Sequence, residues 1–143
     1  MPSFKQARDT IAGEFTTRYH NQRSEPIGFD NLGKLVATDG SLVNKPDNAA
    51  WITLNIRAGD SAQIELGESP TYRNPGSIIT QIFLPQGQGD GEAYAIADAV
   101  ASAIRGVTVN SVRFRATSPP QFIGPTSSWL QYNSVTNFEF DDR

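Results

Sequence analysis

Apolar positions near the start of the chain recur at helical spacing. Phe4, Ala7, Ile11 and Phe15 fall three and four residues apart, on one face of a helix predicted over residues 3–19. Ser3 and Gln6 fit a capping box at its start. The stripe is narrow, which suits a helix laid on a sheet. A second helix is predicted over 91–105, with Ala93, Ile96, Ala97, Val100 and Ile104 as its apolar stripe. Asp90 is placed to cap its start, and Gly106 sits where a left-handed C-terminal cap belongs.

Elsewhere the period is two. Residues 50–57 alternate, with Ile52, Leu54 and Ile56 opposed to Trp51, Thr53, Asn55 and Arg57. A turn at 58–61 leads to a returning strand over 62–66. Residues 77–84 hardly alternate, which predicts a central strand buried on both faces. Residues 107–117 set Val112, Phe114 and Ala116 against Arg113 and Arg115, and 129–141 place Leu130, Tyr132, Phe138 and Phe140 on one face. A short extended piece covers 25–31. Three stretches, 32–48, 67–76 and 118–127, read as long loops. This order predicts an α+β fold, a mostly antiparallel sheet with two helices packed on one side. At 143 residues the chain reads as a single domain, 1–143.

Composition narrows the function classes. Twelve basic against fifteen acidic residues give a formal net charge of -3, unlike a dedicated nucleic-acid binder. With no cysteine there is no disulfide framework, thiolate nucleophile or zinc–thiolate site. The first residues lack the apolar core of a signal peptide, and no apolar run reaches membrane-spanning length. The expectation is a soluble protein made in the cytoplasm, with no membrane partner.

Gly87, Gly89 and Gly91 invite comparison with phosphate-binding turns. The spacing is GxGxG instead of GxGxxG, and no Lys-Ser/Thr pair follows. Asp90 and Glu92 favour the helix dipole but repel a phosphate. The loop therefore reads as a flexible connection. His20 stands alone without a partner in sequence. The Asp39-Gly40-Ser41 and Asp60-Ser61 pieces suit turns. Arg113 and Arg115 suit the wet face of a strand, paired with acids across it. Glu139, Asp141 and Asp142 read as a solvated acidic end, and Trp51 and Trp129 as packing residues or ligand platforms. No catalytic, cofactor-binding or metal-ligating residue is assigned, and no cofactor is expected.

Four pieces in fixed order point further. They are Pro26-Ile27-x-Phe29-Asp30-Asn31; Trp51-Ile52-x-Leu54-x-Ile56 followed by Gly59-Asp60-Ser61; Arg73-x-x-Gly76-x-Ile78 with Gln81-Ile82-Phe83-x-Pro85-x-Gly87-x-Gly89; and Trp129-Leu130-Gln131-Tyr132-Asn133. With the two helices, this pattern resembles the small tail-terminator family of long-tailed bacteriophages, the lambda-type minor tail protein U, over nearly the whole chain. The resemblance implies a structural virion protein and no enzyme. It implies a homo-hexameric ring that caps the tail tube, ends polymerisation and joins the head connector. It also implies a contact with the tail sheath if the tail is contractile, and passage of DNA through the central channel without sequence-specific binding. The location implied is the tail or neck of the virion. Candidate contact residues lie on the three long loops: Lys34, Asp39, Lys45, Tyr72, Arg73, Gln121 and Phe122. A neighbouring head–tail connector or stopper protein is the alternative of the same class, and a small ligand-binding domain is the alternative of another.

Overall fold

The computed structural model describes residues 3–30, 32–68, 70–87, 89–126 and 129–142. Helix α1 spans Phe4–His20. Its capping box is complete: Gln6 N donates to Ser3 Oγ at 3.1 Å, and Ser3 N donates to Gln6 Oε1 at 2.9 Å. Ala7, Ile11, Phe15 and Tyr19 are buried, as the spacing requires. Phe4 departs from that face. It is 67% exposed, with its ring edge-on to Phe140 at 6.2 Å.

Helix α2 spans Gly91–Ile104 and buries the five stripe residues together with Ala99 and Ala103. Gly106 adopts φ 74, the predicted left-handed cap. Asp90 does not cap. Its φ -102 and ψ -8 are helical, which turns its carboxylate away from the free N–H groups that an extended N-cap residue would reach.

The strands are β1 Ile27–Phe29, β2 Leu35–Val36, β3 Leu42–Val43, β4 Trp51–Ala58, β5 Ala62–Gln63, β6 Tyr72–Pro85, β7 Thr108–Val109, β8 Val112–Thr117, β9 Gln121–Thr126 and β10 Trp129–Asp142. They form one sheet in the order β3-β2-β1-β4-β6-β10-β8-β7, with β5 also on β6 and β9 also on β10. Among the described residues, only the β1–β4 pair is parallel. The architecture is therefore α+β, as expected. Its spine is the β6–β10 ribbon, paired without a break from Tyr72↔Asp142 to Pro85↔Trp129.

All three predicted loops contain strands. Within 32–48, β2 and β3 form a hairpin whose turn uses Gly40 at φ 84. There Asp39 Oδ1 accepts from Ser41 N at 2.9 Å and from Ser41 Oγ at 2.6 Å. Residues 72–76 are the first part of β6, so Tyr72 and Arg73 are strand residues. Pro75 is tolerated because its missing N–H faces the gap between the end of β4 at Gly76 and the start of β5 at Arg73, where Gly59 N donates to Pro75 O at 2.9 Å. Within 118–127, β9 pairs with β10, and its one proline, Pro125, fits an edge strand. The predicted strand over 62–66 shrinks to two residues, which pair with β6 and not with β4. The predicted strand over 107–117 is a tight hairpin, turned at Asn110 and Ser111 with φ 48 and 68.

Both helices lie on one face of the sheet. Their buried residues share one core with Ile27, Ile52, Leu54, Ile78, Ile82, Leu84, Val112, Phe114, Tyr132, Phe138 and Phe140. Trp51, Phe83 and Trp129 occupy the other face with Leu35.

Candidate partner-binding surfaces

The helix-free face of the sheet has three zones. At one end the rings of Trp51 and Phe83 stack at 4.1 Å, and Trp129 stands edge-on to Trp51 at 5.9 Å. The β2–β3 hairpin covers them through Leu35 and Val43, and Lys45 Nζ lies 5.0 Å from the Trp51 ring centre. The middle is polar. Thr53 Oγ1 donates to Gln81 Oε1 at 2.7 Å, and Asn55 Nδ2 donates to the same oxygen at 3.1 Å.

The far end is an ion network. Arg73 Nε donates to Asp141 Oδ1 at 2.9 Å, Arg113 reaches the same oxygen at 3.2 Å, and Arg115 pairs with Glu139. Hydrogen bonding from Arg73 lowers the Asp141 carboxyl, and bonding from Arg115 lowers that of Glu139. The Arg113 and Arg115 reading from sequence therefore holds. Glu139 and Asp141 are occupied by arginines, and not free for a cation. Arg57, on the same face, makes no ion pair among the described residues.

The seven candidate contact residues separate into two groups. Lys34 and Lys45 flank the β2–β3 hairpin, Asp39 sits in its turn, and Gln121 and Phe122 lie on β9, which pairs with the Trp129 end of β10. Tyr72 and Arg73 begin β6 at the opposite end. At about 3.3 Å per residue the two ends are roughly 40 Å apart. Asp39 and Lys45 are committed inside the chain, to the turn and to Trp51. Phe122 packs on Tyr132 at 5.2 Å yet remains 58% exposed, beside Ile123 at 54%. That pair lies on a six-residue edge strand, with a bulge between Gln131 and Tyr132 of its neighbour.

Two features are absent from the sequence reading. The chain from Ala62 to Leu66 forms an arm held to β6 by pairing of Ala62 with Arg73 and Gln63 with Tyr72, and by Ile64 N donating to Thr71 O at 2.8 Å. Ile64 is 42% exposed and Leu66 93%. Beside its root a cleft of about 180 Å³ is lined by Phe4, Ala58, Gly59, Ser61, Asn74, Pro75, Phe138 and Phe140. Alternation gives the direction of Phe138 and Phe140, but no local signal marks Leu66 as exposed.

The remaining candidates carry internal bonds. Arg23 joins Glu25 to Glu92, fastening the end of α1 to the start of α2 beside the glycine segment. Burial raises the Glu25 carboxyl, but hydrogen bonds from Arg23 and Tyr19 outweigh it and hold the carboxyl below its usual range. His20 Nε2 lies 2.9 Å from Glu25 O. Among the described residues, no helix is long and apolar enough to cross a membrane, and no group of three or more His, Asp or Glu could hold a metal ion.

No family model and no curated protein matches the chain. A protein of solved structure is similar to it over 93% of this chain and 94% of its own length, with a TM-score of 0.58 and 12% identity. That similarity shows the fold alone.

Proposed function

We propose that the chain is a tail terminator of a long-tailed bacteriophage, a virion protein that assembles as a homo-hexameric ring on the tail tube and ends its growth. The observation that carries this reading is the ordered set of motifs, whose strand residues lie on β1, β4, β6 and β10, four neighbouring strands of one sheet. A closed ring joins one patch of each subunit to a different patch of the next. The exposed β9 edge, the projecting arm and the cleft at its root supply unlike surfaces of that kind. Termination is then surface matching: one face of the ring fits the last tube ring, and the other no longer copies the tube subunit and receives the head connector. The free chain is expected to be monomeric or weakly associated, with the ring favoured on the tube.

The test is negative-stain electron microscopy of the protein alone and mixed with tubes of its cognate tube protein. Rings seated on tube ends, on tubes that stop growing, support the reading. Particles that never touch the tubes remove it and leave the connector alternative as the next to examine.

A further inference from the structure

Leu66 and the cleft beside Asn74 are complementary in shape and chemistry. Leu66 is 93% exposed at the end of a tethered arm, with Ile64 42% exposed two residues before it. The cleft of about 180 Å³ is walled by Phe4, Pro75, Phe138 and Phe140, and is open enough that Phe4 remains 67% exposed. That volume is close to the roughly 150 Å³ apolar cavity that takes up a benzene molecule, room for one aliphatic side chain.

Asn74, which also lines the cleft, is only 6% exposed, and its Nδ2 has no hydrogen-bond partner. Ser61 Oγ bonds to the amide oxygen. Turning the amide over merely exchanges which of its two polar atoms is left unpaired. A buried amide in that state is destabilising unless a ligand reaches it. A peptide backbone offers both a carbonyl and an N–H, so it satisfies the amide in either orientation.

Charge selects which peptide. Between Ser61 and Tyr72 the chain carries Glu65 and Glu68 and no basic residue. The cleft lies at the first turn of α1, through Phe4. That turn holds no acidic residue, and Lys5 beside Phe4, 85% exposed, is paired with Asp9 of the next turn. An acidic arm with one apolar knob matches a positive helix end beside an apolar hole.

We infer that the arm of one copy of this chain inserts Leu66 between Phe4, Pro75, Phe138 and Phe140 of a second copy, with its backbone bonded to the Asn74 amide. The contact joins copies to one another and stands whether or not the assembly caps a tube.

The chain has no cysteine, so cross-linking reads this contact directly. Single variants Leu66→Cys and Ala58→Cys, both at exposed positions, are mixed at millimolar concentration under mild oxidation with no tube present. The expected product is the mixed disulfide between the thiol introduced at position 66 of one variant and the thiol introduced at position 58 of the other. Its yield should be at least tenfold above that formed between Leu66→Cys and a Ser102→Cys control on the exposed side of α2. In the cysteine-free chain, Leu66→Asp is expected to weaken self-association about tenfold by sedimentation equilibrium, while Leu66→Met preserves it. Mixed disulfide at the control level overturns the inference and hands the cleft to another protein or a small apolar molecule. Self-association unchanged by Leu66→Asp overturns it as well. Because no tube is present, failure here leaves the terminator reading untouched.

Discussion

The Tyr19 hydroxyl donates to Glu25 Oε1 at 2.7 Å, from a side chain that is fully buried. Burial raises the Tyr19 pKa first, and the Glu25 charge raises it further, so the phenol stays a donor across the physiological range. Arg23 grips the same carboxylate from the other side, with Nε at 2.9 Å and an amino group at 2.9 Å on the second oxygen. This is the knot that closes α1 and delivers the chain into β1.

Glu25→Gln should therefore cost about 2 kcal/mol at pH 7, the scale of hydrogen bonds to a charged group. The sign with pH follows from the lowered carboxyl. A carboxylate whose folded pKa lies below its unfolded value, about 4.3 for glutamate, contributes fully above that value. The contribution is lost as pH falls through the folded pKa. Urea unfolding of wild type and Glu25→Gln should show curves well separated at pH 7 that converge as pH falls through the lowered carboxyl. A constant separation across that range would mean that the side chain acts by shape and not by charge.

Gly76→Ala should destabilise by about 3 kcal/mol, at the upper end for overpacking a filled site. A Cβ there would lie 2.7 Å from the Arg57 carbonyl oxygen and 2.5 Å from Phe138 Cζ, and the oxygen belongs to the β4–β6 ladder and cannot withdraw. Gly28 is the control. Its added Cβ meets Leu35 Cδ2 at 2.9 Å and Thr53 Cγ2 at 3.2 Å, both ends of side chains able to rotate. Thermal melts should show a larger loss of Tm for Gly76→Ala than for Gly28→Ala; the reverse order would place the tight packing at the β2 hairpin.

Leu35→Ala should loosen the β2–β3 hairpin before the rest of the chain unfolds. Leu35 shares a cluster with Trp51, Phe83 and Trp129, and Trp51 and Trp129 are the two tryptophans of the chain. The expected cost is about 2 kcal/mol, low for a core leucine because the hairpin is small and can close down on the gap. Tryptophan emission should shift to the red under conditions where far-ultraviolet circular dichroism is unchanged. Coincident loss of both signals would show that the hairpin is part of the global unfolding unit.

The sequence was most readable where burial is periodic and local. Ala7, Ile11, Phe15 and Tyr19 on α1, and Tyr132, Phe138 and Phe140 on β10, fall on the core side because one helix or one strand keeps its own period. Leu35–Val36, Leu42–Val43 and Ala62–Gln63 are too short to show a period, and they are strands only because a neighbour supplies their hydrogen bonds. The prolines at 75, 120 and 125 argued for loops, yet β6 and β9 absorb Pro75 and Pro125 at edge or gap positions that only the assembled sheet defines. Of the seven contact candidates, Lys34, Asp39, Lys45, Tyr72, Gln121 and Phe122 are exposed and Arg73 is half-buried. The sequence could not show that Asp39 is occupied by its own turn, or that Leu66 projects alone.

Ile123→Lys tests the β9 edge as a contact of the proposed ring. Ile123 is 54% exposed and falls where β9 bulges between the partners of Gln131 and Tyr132, so a lysine can extend into solvent with little effect on the fold, within about 0.5 kcal/mol. A charge on an edge strand opposes pairing with another strand, since the incoming backbone would have to bury it. With the fold intact by circular dichroism, rings on tube ends should become rare in electron micrographs while the isolated chain behaves as wild type. Rings that still seat on the tubes at wild-type frequency would free β9 of any role in assembly and leave the ring contacts to the arm and its cleft.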